Sequence, residues 1–219
     1  MKEFPESSLL VRKQLLFANV VTNDKPVELP PDSDKEVVKK IWQFKSSKNY
    51  TLNVTNDSLD ITSQFHKTYN NKGSENKFRD IIEFVVSNFT NVISVPMFTR
   101  IGLRYTDECP IVKKNNTTLR AWYNSTFPLS RFNIADASEM DFKTVVKIKS
   151  YTIRYFESLQ RQKDDYKLVL DYDGSATNIN TGDYLKITDV LHDIISNEYK
   201  KNIKKPLYDY MRKNKVVES

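Results

Sequence analysis

Arg100 and Arg104 are the residues best placed for chemistry, flanking Gly102 in the hexapeptide Arg100-Ile101-Gly102-Leu103-Arg104-Tyr105. On a strand, side chains alternate faces, so the two arginines and the glycine point one way and Ile101, Leu103 and Tyr105 the other. The arginine Cα atoms then lie about 13 Å apart, with a notch between them. Guanidiniums bind carboxylate and phosphate oxygens bidentately, so the pair is either an anion site or half of a structural ion-pair layer. The second reading is preferred, because Asp171 and Asp173 also share one face of a strand and supply the opposite charges. Charges paired across neighbouring strands fix register.

Other chemistry has less to build on. Asp171 and Asp173 with His192 or Asp193 would make a metal-dependent hydrolase or nuclease site, but Gly174 follows and Asp commonly ends a strand by turning the chain. Neither a metal site nor a cofactor is expected. Cys109 has no surrounding motif that would activate a thiolate, and His192 beside Leu191 reads as a packed histidine. The C-terminal segment carries Lys200, Lys201, Lys204, Lys205, Arg212 and Lys213 interleaved with Tyr199, Tyr208 and Tyr210. That composition suits a nucleic-acid backbone with stacked bases, or a solvated helix face near a negative helix end.

The elements that must position these residues follow from periodicity. Strands are expected over residues 15–21 and 36–44, then a hairpin from residues 50–54 and 58–61 around Asn56-Asp57. Phe78, Ile81, Ile82, Val85 and Phe89 form one stripe of a helix that Ser74 could cap. The arginine strand runs over residues 97–106 and stops at 107–110. Residues 111–139 read as irregular, either a decorated loop or short helices. Residues 142–159 alternate as one long edge-proximal strand, and 166–173 as a central one. Ile187, Val190, Leu191, Ile194 and Ile195 mark a helix, with one kinked helix or two continuing around Pro206.

Composition narrows the class. The chain has 219 residues, 39% hydrophobic and 12% aromatic, which suits a packed domain. Four glycines are too few and too scattered for a dinucleotide or P-loop phosphate cradle. A single cysteine excludes an internal disulfide and multi-thiolate metal sites, and fits a reducing compartment. No apolar run approaches a membrane span, and Glu3, Pro5 and Glu6 interrupt any signal-like run, so a cytoplasmic protein without membrane association is expected. The net charge of +6 permits an acidic partner without requiring one.

The hexapeptide, together with Trp42-Gln43-Phe44, the segment Ser58-Leu59-Asp60-Ile61-Thr62-Ser63, Leu170-Asp171-Tyr172-Asp173 and the tail from Leu191-His192 to Met211, resembles a sporadically distributed, uncharacterised prokaryotic protein family known for an Arg-Ile-Gly-Leu-Arg-Tyr hallmark. The resemblance covers nearly the whole chain and is weakest over residues 111–140. It implies a shared fold and a mobile-element or defence-related gene context, and it supplies no catalytic residues.

The expected fold is therefore α+β: antiparallel sheet with helices packed on one face, a C-terminal helical segment, and one unit over residues 1–219 whose loosely analogous halves would be 1–110 and 140–219. The leading functional expectation is a non-enzymatic binding or assembly protein with a protein partner, another copy of itself included, meeting it at the exposed edge of residues 142–159. Nucleic-acid binding and the Asp171/Asp173 hydrolase are the alternatives.

Overall fold

The computed structural model describes residues 9–14, 27–28, 40–45, 50–55, 57–63, 68–73, 77–111, 113–162 and 165–215. In chain order the elements are β1 (Leu9–Gln14), β2 (Val27–Glu28), β3 (Lys40–Lys45), β4 (Tyr50–Val54), β5 (Ser58–Ser63), α1 (Phe78–Val92), β6 (Met97–Pro110), α2 (Asn116–Trp122), β7 (Met140–Ile148), β8 (Tyr151–Gln162), β9 (Asp165–Asn180), a 3-10 turn (Thr181–Asp183), α3 (Tyr184–Asn202) and α4 (Lys205–Lys215). The architecture is α+β with antiparallel sheet and a helical C-terminal segment. The strand expected over residues 15–21 lies outside the described residues, and the one expected over 36–44 is described from Lys40 onward.

Two compact units divide the chain. The first comprises Met1–Arg104, Lys149–Tyr151 and Gly174–His192, and the second Tyr105–Ile148, Thr152–Asp173 and Asp193–Ser219. This is not the expected division into 1–110 and 140–219. Strands β6 and β9 and helix α3 each give residues to both units, so neither unit is one continuous stretch of chain.

In the first unit the strand order is β2-β3-β4-β5-β1-β6-β9. The predicted hairpin is β4–β5, with Leu52 opposite Ile61 and Val54 opposite Leu59. Its turn is closed by Thr55 N–H donating to Ser58 O at 2.9 Å and by a 2.8 Å bond from Thr55 Oγ1 to Asp57 Oδ1. Alternation puts Leu59, Ile61 and Ser63 on the buried face of β5. Helix α1 buries Phe78, Ile82, Val85 and Val86, the predicted stripe rotated slightly toward Val86. Its N-cap is Lys77, not Ser74, and no side chain caps it. The first-turn N–H groups of Phe78 and Arg79 instead donate to the backbone carbonyls of Thr68 and Tyr69, which meets the same need.

The second unit has the order β6-β9-β8-β7. Its core gathers Cys109, Leu119, Tyr123, Phe127, Ile134, Leu159, Leu168, Leu170, Tyr172, Ile195, Ile203 and Leu207. Residues 111–139 contain the short helix α2, capped by Asn115 Oδ1 accepting from Thr118 N–H at 2.8 Å, and they bury Leu119, Tyr123, Phe127 and Ile134. The C-terminal end of α2 and the residues after it meet the C-terminal segment: Lys204 N–H donates to Trp122 O, and Asn124 N–H to Asn202 O. The C-terminal segment is two helices, broken at Ile203 and Lys204. Pro206 sits in the first turn of α4, where a missing N–H costs nothing.

Three strand boundaries differ from the sequence reading. β6 continues through Asp107–Pro110 positions to Pro110, where Cys109 is buried. β9 does not turn at Gly174 but continues to Asn180, with Gly174 buried within it. Residues 142–159 are two strands, reversed at Lys149 and Ser150. A two-residue turn makes the strands antiparallel and shifts the alternation, so that Ile153, Glu157 and Leu159 share the buried side of β8. Lys149 adopts φ 56°, a left-handed value that turns of this length demand and glycine takes without strain. Lys149→Gly is therefore expected to raise unfolding stability by about 0.5–1 kcal/mol, read from denaturant midpoints; a loss of stability would show that the turn is unstrained.

Candidate functional site

Within β6 of the first unit, Ile101 and Leu103 are fully buried while Arg100 and Arg104 are half-buried, the two-faced arrangement read from the hexapeptide. The notch at Gly102 is filled from within. The Arg100 guanidinium lies along the strand over the glycine, its terminal nitrogens 3.2 Å from where a Cβ would stand. Neither arginine is without a partner. In the second unit, Asp173 meets Arg154 at 3.9 Å and Asp171 accepts from Thr106 Oγ1 at 3.4 Å. The sequence reading does not single out Arg154, which lies in residues 142–159, read there as one strand without the turn at Lys149.

The basic tail is partly committed to structure. Lys204 Nζ donates to Arg120 O, and Lys201 Nζ lies 3.1 Å from Glu198. Lys200 and Lys205 are exposed, and the side chains of Arg212 and Lys213 lie outside the described residues. Among the described residues no group of three His, Cys, Asp or Glu is placed to hold a metal ion, Asp171, Asp173, His192 and Asp193 included. His192 stacks on Tyr69 with ring centroids 4.2 Å apart. Tyr69 in turn donates to Asp189, whose carboxylate also takes a bidentate pair from Arg79 at 2.8 and 3.0 Å. This first-unit cluster ties α1 to α3, and burial pushes the Tyr69 hydroxyl well above its ordinary range.

Two buried polar groups of the second unit are structural. Burial, aided by the nearby Asp107 carboxyl, pushes the Cys109 thiol up to about 12, which leaves it protonated and unreactive. Glu157, 3% exposed, accepts from Ser125 Oγ and Thr126 N–H, each at 3.0 Å, and from Asn202 Nδ2 at 2.7 Å. Asn202 Nδ2 also reaches the Tyr172 hydroxyl at 3.0 Å. No sequence motif marks Glu157, whose nearest partners in sequence lie over thirty residues away.

What stays available is the margin of the second unit. β7 is the last strand of the order, and eight of its neighbours in the preceding loop line a cavity of about 690 Å³ that includes Phe127, Phe132, Ala137 and Met140. Asp136, Glu139 and Asp141 line the same cavity against a single cation, Arg131, whose guanidinium lies 5.0 Å from the Phe132 ring. Along β7, Phe142, Val145 and Ile148 are 36%, 52% and 37% exposed. An edge strand presents unpaired N–H and C=O groups, and natural proteins ordinarily shorten, cover or interrupt such edges. This one has nine residues and no proline.

No family model, curated protein or solved structure matches the chain. Among the described residues no helix is long and apolar enough to cross a membrane.

Two outcomes test the structural assignments. Because the Cys109 pKa is raised from about 9 to about 12, the neutral thiol's contribution to stability is complete below pH 9 and lost as pH rises through 12. The native protein should leave a thiol reagent unconsumed at mildly alkaline pH, and the denatured chain should consume one equivalent. Glu157→Ala should cost about 3–5 kcal/mol in chemical denaturation, since it strands the buried Asn202 donor and two part-buried ones from Ser125 and Thr126; Glu157→Gln should cost less.

Proposed function

We propose that this chain is a non-enzymatic binding or assembly protein whose contact surface is the outer edge of β7 in the second unit. The observation that carries the reading is an edge strand left with three exposed large hydrophobics beside an aromatic-lined, acid-rimmed cavity. Backbone groups along such an edge add a strand from a partner, and the side chains flanking it select which one. Lys143 and Lys147 on the exposed face restrict that choice, because a partner must answer their charge in register. The nucleic-acid alternative rests on exposed Lys200 and Lys205 and is weakened by the use of Lys204 and Lys201 within the fold.

The reading places the protein in a reducing cell interior, where a lone buried thiol at Cys109 persists unpaired. Its resemblance to the family with the Arg-Ile-Gly-Leu-Arg-Tyr hallmark suggests a prokaryotic mobile-element or defence context.

Val145→Lys tests the proposal, because it adds charge at the most exposed apolar position of the edge without touching the core. Partner capture or self-assembly should weaken by about tenfold or more while the melting temperature stays near that of the parent. Unchanged binding in a properly folded variant would remove β7 from the function.

A further inference from the structure

We infer that the partner on β7 is β7 of a second copy, paired antiparallel about a two-fold axis at Thr144. This rests on the proposed use of the β7 edge and names its occupant. A two-fold axis perpendicular to a continuous sheet keeps each side chain on its own face, so only residues of equal parity stand opposite each other. For the strand Met140-Asp141-Phe142-Lys143-Thr144-Val145-Val146-Lys147-Ile148, that leaves few registers.

With the axis at Thr144 all nine residues are paired. Met140 faces Ile148 of the second copy, Phe142 faces Val146, and Lys143 faces Val145. Asp141 faces Lys147 of the second copy, and symmetry supplies that pair twice. Shifting the axis to residue 143 sets Lys143 against itself on the axis. Shifting it to residue 145 sets Lys143 against Lys147 twice. Like charges directly opposed on a sheet are unfavourable and opposite charges favourable, so the strand's own charges select the Thr144 register. An axis at residue 142 also pairs Asp141 with Lys143, but it joins only the first five residues and leaves Val145 and Ile148 uncovered.

The cavity adds a second, independent complement. Asp141 lines it together with Asp136 and Glu139, so Lys147 of the second copy, standing opposite Asp141, arrives at a concentration of negative charge. The same pairing covers the exposed Phe142, Val145 and Ile148 of both copies. Lys143 and Lys147 thus act as gatekeepers that reject other registers and other strands while admitting the chain's own β7.

Light scattering after size exclusion, over a wide concentration range, should give a dimer for the parent chain. Lys147→Glu should raise the dimer dissociation constant by about tenfold or more, and the swap Asp141→Lys with Lys147→Asp should restore it, since each lysine again meets an acid. Opposed Cα atoms on antiparallel strands lie about 4.5–5.5 Å apart, within disulfide reach, so Thr144→Cys should oxidise to a covalent dimer. Lys143→Cys places its symmetry mate about 8 Å away and should not. The native Cys109 is 2% exposed and does not interfere. Circular dichroism of each variant confirms folding. A parent chain that is strictly monomeric, a Lys147→Glu variant that dimerises as well as the parent, or equal cross-linking at residues 143 and 144 would overturn the inference. A monomer that nevertheless binds another protein in a Val145-dependent way overturns self-pairing and leaves the binding function standing.

Discussion

A carboxylate in the interior of the second unit dictates much of the arrangement around it. Glu157 is almost wholly buried on β8, and a buried carboxylate without donors costs several kcal/mol. Its donors come from the loop after α2 and from the last residue of α3, so both must close on β8. Once Asn202 is held there, the ends of helix α3 and the Asn124 loop are stitched by backbone and side-chain bonds, and Ile203 bridges to Tyr123. The break between α3 and α4 follows from the same constraint, since Lys204 turns away from helical bonding to cap the carbonyls of Arg120 and Trp122.

The strand on the other side of the hairpin carries the opposite character. β8 contributes Ile153, Glu157 and Leu159 to the interior, whereas no residue of β7 is fully buried. One strand of the hairpin therefore contributes to the core, and its neighbour stays at the margin. Lysines on an exposed edge suppress indiscriminate pairing while permitting a register in which acids answer them. In the proposed function stability and recognition are thereby separated: substitutions on β7 alter contacts at the margin, and those on β8 alter the core.

Much of the fold was legible in sequence. Period-two alternation gave the β4–β5 hairpin, and period-3.6 stripes gave α1 and α3, because each is a local pattern satisfied by burial of one face. The hexapeptide's two faces were equally readable, with Ile101 and Leu103 inside. The hairpin at Lys149-Ser150 was not, since the position with positive φ is a lysine rather than Gly, Asn or Asp and apolar residues continue on both sides. The ion pair of Arg154 with Asp173, on β8 beyond that turn, was not read either. Strand ends at Pro110 and past Gly174 were misjudged for a related reason: proline and glycine are punctuation only where neighbouring strands do not demand pairing.

By itself the sequence determined the α+β class, the amphipathic faces of its helices and the strand character of the arginine motif, all consequences of local periodicity. It also held the charge pattern of β7, an arrangement of Asp141, Lys143 and Lys147 readable by anyone who knew where the strand began and ended. Only the tertiary structure decided that β7 is an edge, that Glu157 is a hub, that Arg100 folds over Gly102, and that the chain divides into interleaved units. These depend on which distant segments lie side by side, and no local propensity encodes that. Packing chose among the arrangements that periodicity allowed, because only in three dimensions does a buried charge find its donors.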